Sequence, residues 1–147
     1  MSPDVVFAIC NNAVLPFWLL LAVAPGWVWT QRLVHSALVP LVLGAVYAAA
    51  IAASLSSPAE GGSFGSLAGV MIFFAQPWGA VAGWIHYLVF DLFVGAWQVR
   101  DARRRDISHW AVLPCLALTL MLGPVGLALY LLVRLGLQRR ALLEEAA

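Results

Sequence analysis

An aspartate set deep in an apolar run is the residue of this chain with the greatest chemical consequence. Asp91 lies 13 residues beyond Trp78, and no other Asp, Glu, Lys or Arg occurs between Trp78 and Val99. At about 1.5 Å per helical residue it sits roughly 20 Å from the start of the helix that this run predicts. A carboxylate at bilayer depth costs several kcal/mol, so it is expected to face the bundle interior with a partner, and Asp91 with His86 reads either as a functional pair or as a purely structural one. Such a carboxyl group can lend a proton and take one back. Helical spacing puts Tyr87 and Gly95 one turn away on its face, and Trp84 and Gln98 two turns away. His86 is five residues earlier, about 140° around the helix, where a shared substrate or a second helix could bridge it to Asp91. By depth counting at about 1.5 Å per residue, His86 lies roughly 12 Å in and Asn11 and Asn12 roughly 9–11 Å in. On the same count Cys115 and Thr119 lie roughly 9–15 Å from the opposite surface, bracketing the level of Asp91. The chemistry available to such a set is general acid–base catalysis. Asp91, His86 and Tyr87 are the catalytic candidates. Asn11, Asn12, Trp18, Trp84 and Thr119 are the candidates for holding a substrate. Each has a plainer reading: Asn and Thr as interhelical glue, Trp18 and Trp84 as packing, and Pro16, Pro25, Pro114 and Pro124 as kinks.

The elements that would position these residues follow from composition. Of 147 residues, 63% are hydrophobic and 10% charged, with a mean hydropathy of +0.92. A soluble domain carries roughly 25% charged residues, and one of this size leaves about a third of its unfolded surface in water. Lipid is the solvent this composition suits. The expected fold is all-α, a polytopic membrane helical bundle forming one domain. About 20 apolar residues cross the hydrocarbon core, and four spans meet this need, at about 5–29, 37–56, 78–98 and 109–133. The stretch 64–75, cut off by Gln76-Pro77-Trp78, is too short to cross and reads as an interfacial or re-entrant segment before the third span. Pro114 and Gly123-Pro124 interrupt the fourth. A cleavable leader ending at Ala22-Val23-Ala24 is disfavoured, since no Lys or Arg precedes it. Arg32, Arg100, Arg103, Arg104 and Arg105 fall on one side, and Arg139 and Arg140 on the other. The Arg-rich side is therefore expected to be cytoplasmic. An integral protein of the bacterial inner membrane is expected, with both termini away from the cytoplasm.

Several chemistries are excluded. All eight basic residues are Arg, so no lysine Schiff base can form. A net charge of +1 offers no footprint for nucleic acid. Cys10 and Cys115 lack metal-ligand spacing. Three His (His35, His86 and His109) are too few for a membrane di-iron oxygenase and poorly placed for a bis-histidine haem. No phosphate loop or serine elbow occurs. No cofactor and no metal are expected.

Three blocks resemble a small membrane family typified by plant abscisic-acid-deficient-4-type proteins, needed for neoxanthin synthesis. The first runs from Asn12 to Trp18, followed by Ala24-Pro25 and Trp27. The second comprises Pro77, Ala82-Gly83-Trp84-Ile85-His86-Tyr87-Leu88, Phe90-Asp91-Leu92-Phe93-Val94-Gly95, Trp97 and Asp101. The third is Pro114-Cys115, Leu118-Thr119-Leu120-Met121 and Gly123-Pro124-Val125-Gly126. Pro40-Leu41, Gly44 and Tyr47 also fit, and the resemblance covers about residues 7 to 132. It implies a carotenoid-modifying protein: a cofactor-independent isomerase that opens a xanthophyll epoxide to an allene, of the violaxanthin-to-neoxanthin type. Such a reaction is redox-neutral and needs an acid for the epoxide oxygen and a base for the adjacent polyene carbon. Either of Asp91 and His86 suits either role. The partners implied are a carotenoid or related isoprenoid lipid, membrane lipids, and either a second copy or carotenoid pathway enzymes. Other readings of the same residues are a non-catalytic carotenoid-binding or assembly partner, and a small proton or ion transporter.

Overall fold

The computed structural model describes residues 1–138. These form seven helices: α1 (Pro3–Val23), α2 (Val28–Leu33), α3 (Leu38–Ser56), α4 (Leu67–Ala75), α5 (Pro77–Arg104), α6 (His109–Leu122) and α7 (Pro124–Gln138). Among the described residues no strand occurs. Three helices, α1, α3 and α5, are long and apolar enough to cross a membrane. Of the four spans expected from the sequence, three are thus matched by single helices long and apolar enough to cross. The fourth apolar run divides at Gly123 into helices of 14 and 15 residues, each roughly 21–23 Å long at about 1.5 Å per residue.

The division is written in the backbone. Pro124 has no N–H to continue the ladder of α6, and proline is well suited to the first position of a new helix. Gly123 takes φ +35°, a conformation that L side chains rarely adopt. The partners of the two helices show that the chain folds back. Thr119 of α6 pairs with Gln98 of α5, whereas on α7 Tyr130 reaches Asp101 and Gln138 reaches the Arg105 carbonyl. As α6 advances its partners retreat along α5, and as α7 advances they progress. The hairpin closes over Gly126, where an added Cβ would collide with Thr119.

The fold divides into two compact units, to each of which α1 and α5 contribute. One holds Met1–Leu15 and Ala37–Val89. There the Ser66 hydroxyl caps α4 by accepting from the Gly69 amide, and α4 ends at Gln76. The Gln76 side chain accepts from the Ser54 hydroxyl at 3.0 Å and donates to the Ser57 carbonyl, tying the start of α5 to the end of α3. The nine residues of α4 cover about 14 Å at 1.5 Å per residue, too little to cross.

The other unit holds Pro16–Ser36 and the chain from Phe90 onward. The apolar run that opens the sequence stops being α1 at Val23; α2 is a separate short helix after the Pro25-Gly26 turn. Helix α5 runs on through Val99 and Ala102, both buried, to Arg104. His109 contacts the Ala22 carbonyl, Arg103 donates to the Pro25 carbonyl, and Gln138 lies at Arg105. The described chain therefore ends with the Arg-rich turns of α5, not across from them as the four-span arrangement implied. Arg139 and Arg140, counted there on the far side, lie outside the described residues.

Candidate functional site

Asp91 is 9% exposed and its carboxylate packs on the backbone of Gly123. A Cβ placed on Gly123 would lie 2.6 Å from Asp91 Oδ1, so glycine is what admits the carboxylate to the hairpin tip. Helix α7 begins at this junction, and a helix N-terminus carries partial positive charge that favours a nearby anion. A break in one hairpin and an acid on a neighbouring helix thus meet inside an apolar unit.

The other candidates of this unit are placed close by but differently employed. Thr119 is fully buried and bonds to Gln98, accepting from its Nε2 at 3.0 Å, with the Cys115 carbonyl 2.8 Å from the threonine hydroxyl. It serves the α5–α6 contact as glue. Trp18, also buried, lies over Gly95, whose missing side chain leaves room for the indole: a Cβ there would come within 2.7 Å of the ring.

In the first unit Asn11 Oδ1 accepts from the Trp84 indole N–H at 3.1 Å. The indole is flanked by Phe7 at 5.5 Å and Tyr87 at 5.3 Å, separations typical of attractive ring pairs. Trp84 remains 39% exposed. The set is an aromatic surface oriented by one hydrogen bond. His86 is exposed and its ring lies 5.9 Å from that of Tyr47. Asn12 donates to the Ala8 carbonyl of its own helix. The structure therefore brings together Asn11, Trp84 and Tyr87, sets His86 beside Tyr47, and sets Asp91 beside Gly123. Among the described residues no three His, Cys, Asp or Glu side chains converge as a metal site would require.

Sequence reasoning missed a buried ionic network in the second unit. Asp101, 3% exposed, faces Arg105 Nε at 2.9 Å and Arg134 Nε at 3.4 Å. It also accepts from the Tyr130 hydroxyl at 2.7 Å, and Trp97 packs edge-on against the Tyr130 ring. Arg134 is 2% exposed. The available signal was an arginine inside an apolar helix, which demands an acid at its level. Outside the spans, His35 Nδ1 pairs with Arg100 Nη1 at 3.0 Å. Burial, with the charges of Arg100 and Arg103, lowers its pKa from 6.5 to about 4. The imidazole is therefore neutral and Arg100 is the donor.

Residues 5–130 match the model of the ABA4-like family, described as ABA DEFICIENT 4-like. The chain is 30% identical over 128 residues to the protein ABA DEFICIENT 4, chloroplastic, of Arabidopsis thaliana. The match covers 83% of this chain and 57% of the relative, so the chain spans little more than half the length of that protein. No solved structure matches. The family match takes in every candidate discussed above, from Asn11 to Thr119, and Tyr130 as well. Matched over most of its length, the chain belongs to the ABA4-like family.

Proposed function

We propose that this chain is an integral-membrane, carotenoid-modifying isomerase that opens a xanthophyll epoxide to an allene without a cofactor. The observation that carries the reading is the Asp91 carboxyl, buried in an apolar helix and seated on a glycine at a helix break. Buried acids on apolar helices are a mark of proton-handling sites. In the proposed reaction one carbon–oxygen bond of the epoxide breaks as the oxygen gains a proton and becomes a hydroxyl. The adjacent polyene carbon loses a proton, and the electron pair left behind completes the allene. Atoms and oxidation level are conserved, so no redox partner enters. Asp91 supplies one proton transfer and His86, also carried by α5, the other. Tyr87 with Trp84, held by Asn11, offers an aromatic surface on which a ring and polyene can lie. Exposed on apolar helices, this surface is open to a guest arriving from lipid.

The same proposal sets the chain in a bacterial inner membrane with the Arg-rich end of α5 toward the cytoplasm, by the asymmetry of Arg placement. The test is expression in a bacterial host that accumulates epoxy-xanthophylls, followed by pigment chromatography. An allenic isomer is expected from the parent chain and not from Asp91→Asn or His86→Ala, each checked for folding in detergent. Unchanged pigments with carotenoid co-purifying would replace the enzyme with a carotenoid-binding partner. Proton flux in pigment-free liposomes would replace it with a transporter.

A further inference from the structure

The arginines after Val99 do not act as one basic patch. Arg105 turns inward to Asp101, while Arg100, Arg103 and Arg104 line an open depression of about 400 Å³ together with Gln31. That volume lies within the roughly 300–1,000 Å³ of small-ligand sites. Among its described lining residues none is acidic. Two of the guanidinium groups are held in place rather than left to wave in solvent. Arg100 donates to His35, and Arg103 donates to the Pro25 carbonyl at 3.1 Å. The same carbonyl accepts from Gln31 Nε2 at 3.0 Å, so one backbone oxygen positions two of the four lining side chains. The i, i+3 and i, i+4 spacing of positions 100, 103 and 104 puts all three cations on one face of the last turns of α5.

The surroundings fix the depth of this depression. Helix α2, which supplies Gln31, carries Trp29, with Trp27 just before it, and both rings are half exposed. The Arg32 guanidinium lies over the Trp29 ring at 5.6 Å. Exposed tryptophans beside arginines mark the headgroup level of a bilayer, where lipid phosphates lie.

We propose that Gln31, Arg100, Arg103 and Arg104 form a binding site for the phosphate of an anionic lipid headgroup. Guanidinium groups fixed in a concave wall recognise phosphate by paired N–H donors, and Gln31 adds a neutral donor. The site does not depend on the carotenoid reading, and neither fails with the other.

The test is lipid retention by the full-length protein in detergent, read by native mass spectrometry with mixed phosphatidylglycerol and phosphatidylcholine. Preferential retention of phosphatidylglycerol is expected. Each cation at a membrane surface contributes on the order of fivefold in affinity, so Arg100→Gln with Arg104→Gln is expected to lower retention roughly tenfold or more. Since Arg100 also holds His35, Arg104→Gln alone is a second variant, expected to lose about fivefold, with its folding checked separately by thermal midpoint. Arg32→Gln removes the same charge from the same surface but lies outside the lining, and is expected to retain the lipid. Equal retention of the two lipids, parental retention by Arg104→Gln, or an equal loss in Arg32→Gln would overturn the proposal. Displacement of the lipid by millimolar inorganic phosphate would also overturn it, in favour of a free-anion site.

Discussion

A glycine decides whether the buried acid can be where it is. Gly123 combines a positive φ with contact to the Asp91 carboxylate, so Gly123→Ala meets both backbone strain and collision. A loss of about 1–3 kcal/mol is expected from the backbone alone, read as a lowered unfolding midpoint in detergent; a parental midpoint would show that the tip is looser than described. Asp91 itself was legible in the sequence, because one carboxylate in a long apolar run has few alternatives. For Thr119 the residue type offered interhelical glue beside substrate holding, but not that Gln98 would be its partner. Arg134 was passed over because its partner, Asp101, lies 33 residues earlier and only folding back sets them side by side. At the membrane surface His35 gives a signed pH effect. Its pKa is about 4 in the fold and 6.5 ordinarily, so between these values the unfolded chain binds a proton that the folded chain does not. Stability is therefore full above pH 6.5 and falls as pH drops toward 4. His35→Gln is expected to flatten that slope in unfolding midpoints measured across the range; an unchanged slope would assign it to other groups.

At the scale of elements the informative feature is the α6–α7 hairpin and what holds it. Gly123-Pro124 was visible as an interruption, yet an interrupted span and a hairpin have the same composition and the same apolar length. What separates them is which turns of α5 receive each half, a long-range fact. Asp101 is the fastening: it takes Arg134 and Tyr130 from α7 and Arg105 from the end of α5. Removing one partner of a buried ion pair strands the other, at about 3–5 kcal/mol. Asp101→Asn or Arg134→Met is thus expected to lower stability by that order, whereas the paired Asp101→Leu with Arg134→Met loses much less. Tyr130→Phe removes a single hydrogen bond to a charged acceptor and is expected to cost about 1–3 kcal/mol. With Asp101→Leu added as a single variant, unfolding midpoints of the parent, Asp101→Leu, Arg134→Met and their pair form a coupling cycle. Strict additivity would mean that the network does not bind the hairpin as a unit.

For the molecule as a whole, the hairpin bears on which side of a membrane each segment would meet. Three helices, α1, α3 and α5, are long and apolar enough to cross, and α6 with α7 folds back, returning the chain to Arg105. Hydropathy alone could not distinguish this from four crossings, since it measures apolar length and not direction. A crossing by α5 would leave the α3–α4 connection around Glu60 on one side and Ser108 and Gln138, at the two feet of the hairpin, on the other. Cysteine scanning tests this directly in a background with Cys10→Ala and Cys115→Ala, both native thiols being buried. In sealed vesicles a membrane-impermeant maleimide is expected to treat Ser108→Cys and Gln138→Cys alike and Glu60→Cys oppositely. Labelling of Gln138→Cys together with Glu60→Cys would restore the fourth crossing. It would also take Asp91 off a hairpin tip and place it against a continuous, kinked helix. The chemistry proposed for that carboxylate would then have to be derived from a different neighbourhood.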